Sequence, residues 1–328
     1  MSTKIVDANE PNIRHAAKLL RAGELVAFPT ETVYGLGADA CNAAAISQIF
    51  AAKGRPANDP LIVHLAKTDQ IEEVAELTSK LRDRLTKLTQ FWPGPLSVIL
   101  PKRASIPDTV TAGLSTVAVR IPRHPVALAL LEEADRPIAA PSANPFAYVS
   151  PTCAEHVARI LDERVELILN GGACEVGLES TVISISSEPV RVLRPGGVAL
   201  EALRELFPDI ILESRKQSSN QPFEAPGMSL KHYSPKTPVV LRNGTESLDP
   251  RQRFGYISFK ADYEPLVPDP KHTITLSDTG VLSEVSKNLF SALHDMDARD
   301  LDFILVDSCH EEGLGIAIMD RLRRAIQN

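Results

Sequence analysis

Short apolar runs alternate with amphipathic helical stretches along this 328-residue chain, and that alternation constrains the fold more than any other feature. Asn9 or Glu10 followed by Pro11 starts a helix to about Ala22, with Ile13, Ala16, Ala17 and Leu20 as its stripe and Gly23 as its stop. Strands are expected at 25–28, 61–65, 96–100, 117–121, 138–140 and 167–169. Residues 29–37 read as a polar turn packed with hydroxyls. Helices are expected from an Asn42 cap to Ala51, over 71–91, over 125–133, from a Thr152-x-x-Glu155 capping box to Leu161, and up to Leu206. A hairpin joining 181–185 to 190–193 makes the sheet mixed, so the class is α/β. From 214 to about 238 the chain turns polar and loses periodicity, which marks a boundary. Strands at 239–241, 255–259, 273–276 and 303–306, with helices at 281–296 and 316–326, give a small second α/β domain. The expected organisation is a catalytic domain over 1–210, a linker or lid over 211–238, and a C-terminal domain over 239–328.

Composition removes several classes of function. Net charge is −7 with 5% aromatic residues, against a broad nucleic-acid face or a base-stacking platform. No apolar run is long enough to span a bilayer. Cys41, Cys153, Cys174 and Cys309 are scattered without a Cys-x-x-Cys, as free thiols in a reducing compartment are. A cytoplasmic protein without a structural zinc site is expected.

No familiar catalytic signature is present. Gly35-Leu36-Gly37-Ala38-Asp39-Ala40 lacks the strand–turn–helix setting of a dinucleotide fingerprint, and there is neither a P-loop nor a nucleophile elbow around Ser142. What remains is a set of polar residues at strand ends, where open α/β sheets bind ligands: Thr32, Lys53, Arg55, His64, Arg120, Ser142, Asn144, Ser150, Ser180, Thr181 and Arg194. Lys53-Gly54-Arg55-Pro56 sets two cations at a Gly/Pro turn, suited to a polyanion or equally to a basic helix C-terminus. Arg120 lies inside a strand pattern, so it needs an anionic partner, either a substrate or a structural acid. Ser142 and Asn144 make either ligand contacts or a polar turn.

Read together, these segments resemble one family. Thr30-Glu31-Thr32-Val33-Tyr34-Gly35-Leu36, Lys53-Gly54-Arg55-Pro56, Pro60-Leu61-Ile62-Val63-His64, Trp92-Pro93-Gly94-Pro95-Leu96-Ser97, Val119-Arg120-Ile121-Pro122, Pro141-Ser142-Ala143-Asn144 and Glu179-Ser180-Thr181-Val182 look like the YrdC-like domain of the L-threonylcarbamoyladenylate synthases. The run from Ala225 through His232-Tyr233-Ser234-Pro235 looks like the linker of the two-domain form. The resemblance implies a YrdC-like mixed twisted sheet with flanking helices, plus a small Rossmann-like C-terminal domain. It implies that L-threonine, bicarbonate and ATP, with Mg2+, give threonylcarbamoyl-AMP and pyrophosphate. A separate transferase would then pass the group to tRNA for the N6-threonylcarbamoyladenosine modification.

By the same resemblance, Thr32, His64, Arg120 and Ser180 hold threonine, with Arg120 on its carboxylate. Lys53 and Arg55 are the catalytic cations. Arg55, Asn58, Asp59, Thr116, Ser142, Asn144, Ser150 and Arg194 surround the nucleotide, and Tyr233 reaches back from the linker to cover it. No protein metal ligands are implied. The competing readings are a weak RNA-binding module, disfavoured by the acidity, and a carbamoyl transferase of the hydrogenase-maturation type, disfavoured by the missing cysteine-rich zinc modules. A nucleotide sensor without catalysis would require key positions to be lost, and they are filled.

Overall fold

The computed structural model describes residues 3–213, 223–225, 227, 232–242, 251–261 and 272–326. Strand β1 (Lys4–Asp7) leads to α1 (Glu10–Arg21), which starts where the Asn9 side chain accepts the Asn12 amide at 3.1 Å. Helix α1 packs on α6 (Pro125–Ala134), burying Ala16, Ala17 and Leu20 against Ala127, Leu130 and Leu131. Strands β2 (Val26–Phe28) and β3 (Gly35–Asp39) form an antiparallel pair. Then follow α2 (Ala43–Lys53), β4 (Ile62–His64), the short helices α3 (Ile71–Val74) and α4 (Ser79–Leu88), and β5 (Leu96–Pro101). The one-turn helix α5 (Asp108–Thr111) precedes β6 (Thr116–Arg120), and β7 (Ile138–Ala139) follows α6. Helix α7 (Ala154–Leu161), β8 (Leu167–Asn170), β9 (Thr181–Ser184), β10 (Arg191–Arg194), α8 (Leu200–Leu206) and β11 (Ile211–Leu212) complete the larger unit.

Among the described residues, these strands form one 11-stranded sheet in the order β1-β8-β2-β3-β7-β4-β6-β5-β9-β10-β11. Pairing is mixed: β4–β6 and β5–β9 run parallel, β5–β6 and β9–β10 antiparallel. The expected mixed α/β class holds. The second sheet is wholly parallel, with β12 (Val239–Leu241), β15 (Phe303–Val306), β13 (Phe254–Ser258) and β14 (Thr273–Thr275) in that order. Helices α9 (Leu282–Asp297) and α10 (Leu314–Ile326) pack with it around Leu289, Leu293, Ile304 and Ile318.

Four local expectations need correction. Residues 35–39 are strand β3, not part of a turn; Gly37 is required there because a Cβ would stand 2.8 Å from the Phe28 ring. The expected 71–91 helix is broken between Val74 and Ser79, where Ala75 leaves the helix to bridge Lys102 and the Thr78 side chain caps a new one by accepting the Leu81 amide. The Thr152 capping box does not form: α7 begins after Cys153, and the Thr152 amide donates to His156 Nδ1 instead. Strand β1, unpredicted, pairs in parallel with β8.

Candidate active site

The parallel pair β4–β6 sets His64 beside Arg120 at its C-terminal end. Around that pair gather the β2–β3 turn (Thr30, Thr32), the residue after the α2 terminus (Arg55), the loop after β7 (Ser142), the start of β9 (Glu179, Ser180) and the end of β10 (Arg194). Tyr233 closes the same pocket from the linker. All of these except Ser142 are buried.

Each side chain is held by identifiable contacts. The Thr30 hydroxyl donates to Val33 O at 2.6 Å and meets Thr32 Oγ1 at 2.8 Å, which fixes the turn. Arg120 ion-pairs with Glu31 at 2.7 Å and donates to Thr32 Oγ1 at 2.9 Å and Gly94 O at 3.3 Å. A guanidinium carries five N–H donors. Among the described residues, Nη2 of Arg120 has the Glu31 carboxylate as its ion-pair partner and no hydrogen bond of its own. Gly54, left-handed at φ 61°, ends α2 and turns Arg55 inward onto Asp59, whose carboxylate lies 3.0 Å away. Ser180 Oγ sits 2.8 Å from Ser97 Oγ and accepts from Arg194 at 3.1 Å. Burial, followed by the charge of Arg120, lowers the His64 pKa to about 3, so its ring is neutral at physiological pH. Burial would raise the Glu179 pKa, but Arg321, Arg194 and the Ser150 hydroxyl bring it below the usual value.

The remaining predicted residues stand at various removes. Lys53 is buried, yet its ammonium donates to the carbonyls of Ser142 and, at 2.5 Å, Asn144. It shapes the loop from behind rather than lining the pocket. Burial and the neighbouring Arg55 hold its pKa well below the usual lysine value. Asp59 backs Arg55. Asn144 spends its amide on Pro145 O and Tyr148 O at 2.8 and 2.9 Å, and Ser150 donates to Glu179 at 2.6 Å. Asn58 is half-buried with its carbonyl oxygen accepting the Phe223 amide at 3.1 Å. Thr116 is not brought to this pocket: it begins β6 while Arg120 ends it, about 13 Å apart at strand rise, and it lines a separate hollow with Arg191 and Glu224. Of the linker motif, residues 226 and 228–231 lie outside the described residues.

Three contributors carried no predicted role. Glu31 and Glu179 stand next to Thr32 and Ser180 in the sequence, but only the fold shows them paired with buried arginines. Arg321 comes from α10 of the smaller unit: its Nε donates to Glu179 at 2.7 Å, and its guanidinium lies 4.9 Å from the centre of the Tyr233 ring. Its Arg-Leu-Arg-Arg context reads as a solvated helix face, and no signal in the sequence marks it as internal.

A mixed sheet with inward-turned arginines and hydroxyls, and no nucleophile–base pair among them, is built to hold and orient anionic groups rather than to attack them covalently. Residues 18–196 match the Sua5, YciO and YrdC family, described as telomere recombination, and residues 198–326 match the threonylcarbamoyl-AMP synthase C-terminal domain. The chain belongs to the threonylcarbamoyl-AMP synthase family. The protein of that name from Pyrococcus abyssi is 43% identical over 324 residues, covering 96% of this chain and 94% of its own. That of Bacillus subtilis is 40% identical over 333 residues, covering 98% and 95%. The crystal structure of P. abyssi Sua5 complexed with L-threonine matches with a TM-score of 0.89 at 41% identity, covering 99% of this chain and 98% of that one.

Proposed function

We propose that this pocket joins L-threonine, bicarbonate and ATP into threonylcarbamoyl-AMP and pyrophosphate. The observation that carries the reading is the Arg120 guanidinium, preset by Glu31 and Thr32 in the lining of a pocket that His64 and Ser180 share. A guanidinium held in that way suits a threonine carboxylate. The P. abyssi protein complexed with L-threonine supports the substrate, and the family name supports the product.

The threonine amine adds to bicarbonate with loss of water, giving a carbamate. A carbamate oxygen then attacks the α-phosphorus of ATP, and pyrophosphate leaves with the electron pair of the broken P–O bond. Such a displacement needs positioning and charge neutralisation above all. Arg55 and Arg194 are the cations that face the phosphates in this proposal, with Ser142 beside them. Lys53 acts through the 142–144 loop. Mg2+ enters as the counter-ion of the ATP phosphates, because Mg2+ is bound largely through phosphates and water. The acids at the pocket, Glu31 and Glu179, are each committed to a buried arginine. Tyr233 acts as a lid that keeps water from the carbamate and the mixed anhydride; the expected 211–238 linker begins only after β11, which pairs with β10 in the sheet.

The reaction is tested by incubating the purified protein with ATP, bicarbonate and Mg2+, with and without L-threonine. Threonine-dependent pyrophosphate release with an adenylate product supports the proposal, and ATP binding without product defeats it. Passage of the product to a separate tRNA-modifying transferase in the cytoplasm completes the proposed role.

A further inference from the structure

The smaller unit reaches the surroundings of the pocket through Arg321, Arg324 and Phe290. Arg321 on α10 is 1% exposed, the largest fully buried side chain among the described residues. Its Nε donates to Glu179 Oε2 at 2.7 Å, and its Nη2 donates to Pro195 O at 3.0 Å. Its guanidinium lies over Tyr233, whose ring also meets Phe290 of α9 at 5.6 Å and His232 at 4.1 Å. Each of these partners adjoins a pocket residue: Glu179 precedes Ser180, Pro195 follows Arg194, and Tyr233 is itself in the lining. Asp320, through Oδ2, holds Nη1 of Arg321 at 2.7 Å and Nε of Arg324 at 3.0 Å. Arg324 in turn donates to Gly227 O in the linker and accepts, through its carbonyl, the Ser234 hydroxyl at 3.2 Å.

We propose that Arg321 is a positioning residue for the active site, fixing the Glu179–Thr181 turn, the Arg194 strand end and the Tyr233 ring in one arrangement. This rests on the reaction proposed above, and it makes the C-terminal domain the brace of the pocket rather than the seat of a second binding site. Arg321 touches no substrate in this role. A planar guanidinium suits it because one group must serve a carboxylate, a carbonyl and a ring face together, which an ammonium cannot do at once.

The test compares R321M, R321K and E179Q with R323A. Arg323 lies on the same helix but pairs outward with Glu311, so R323A controls for damage to α10. Two readouts are taken: steady-state kinetics, and hydrogen exchange of the Ser234 amide, which donates to Ala147 O at 2.8 Å. R321M should lose about tenfold to a hundredfold in kcat/KM, as misplacement of positioning groups does, with faster exchange at Ser234. R321K should recover little, and R323A should match the wild type in both readouts. Should R321M fail to fold, E179Q, which removes the charge from the other side, should give the same two changes in milder form. Wild-type kinetics and exchange in R321M, or in E179Q where R321M does not fold, overturn the proposal. If the wild type makes no threonine-dependent product, the reaction falls, while exchange at Ser234 still decides the brace.

Discussion

Arg120 and Glu31 meet at 2.7 Å inside the wall of the pocket, 4% and 1% exposed. A buried pair broken from one side leaves a bare charge and costs about 3–5 kcal/mol. R120A should therefore lower stability as well as abolish threonine binding. E31Q should also lower stability, because it leaves the buried Arg120 cation without its anion, and by freeing Arg120 it should weaken threonine affinity. The R120A/E31A double variant should regain stability without regaining affinity. Chemical denaturation and threonine calorimetry on the three variants check this, and restored affinity in the double variant would assign Arg120 a purely structural role.

Tyr233 adopts φ +64°, a left-handed conformation that costs a non-glycine residue energy. It keeps that conformation because its ring is held between Arg321 and Phe290. Y233A should raise the Michaelis constant for ATP or lower turnover; it should also lower the melting temperature, because a buried ring is lost, but leave the protein folded. Wild-type kinetics would end the lid reading.

Gly196 lies directly on the backbone of the Glu179–Thr181 turn: a Cβ there would come within 2.3 Å of Glu179 O and 2.4 Å of Ser180 C. G196A must push that turn aside, and with it Ser180. Loss of kcat/KM should exceed what the drop in melting temperature explains; equal, small effects on both would show that the turn has room to move.

Burial holds the pKa of His64 and His156 at about 3 and that of His294 at about 4. The unfolded chain takes up these protons near pH 6.5, whereas the folded protein does so only near 3–4. Stability is therefore full above pH 6.5 and falls as the pH drops from there toward 4, by at most about 1.4 kcal/mol per pH unit per histidine. His156 and His294 stack at 4.2 Å across the two units. H156F/H294F should flatten the acid limb of a plot of unfolding free energy against pH, and an unchanged limb would place the titration elsewhere.

The order of strands and helices was legible because each element carries its own period and punctuation, as Asn9, Asn42 and Gly54 show. Strand β3 was not, since Gly35-Leu36-Gly37 has the composition of a turn, and only packing against the Phe28 ring explains its glycines. The pocket residues at strand ends were legible as a set, through the family pattern. Their partners were not: the pairing of Glu179 with Arg321 spans 142 positions and joins the two units, and no local pattern encodes it. Lys53 shows the remaining gap. Its place at the end of α2 was plain, but whether its ammonium faces the ligand or the 142–144 loop depends on the course of a distant segment.

The pairing of β1 with β8 sets a timetable for synthesis. Lys4 aligns with Leu167, so the first strand emerges long before its partner exists. At roughly 5–20 residues per second of translation, it waits on the order of 10–30 s. Strand β1 suits that delay, since Lys4, Ile5 and Asp7 are exposed even in the finished protein and its charged ends discourage pairing with another nascent chain.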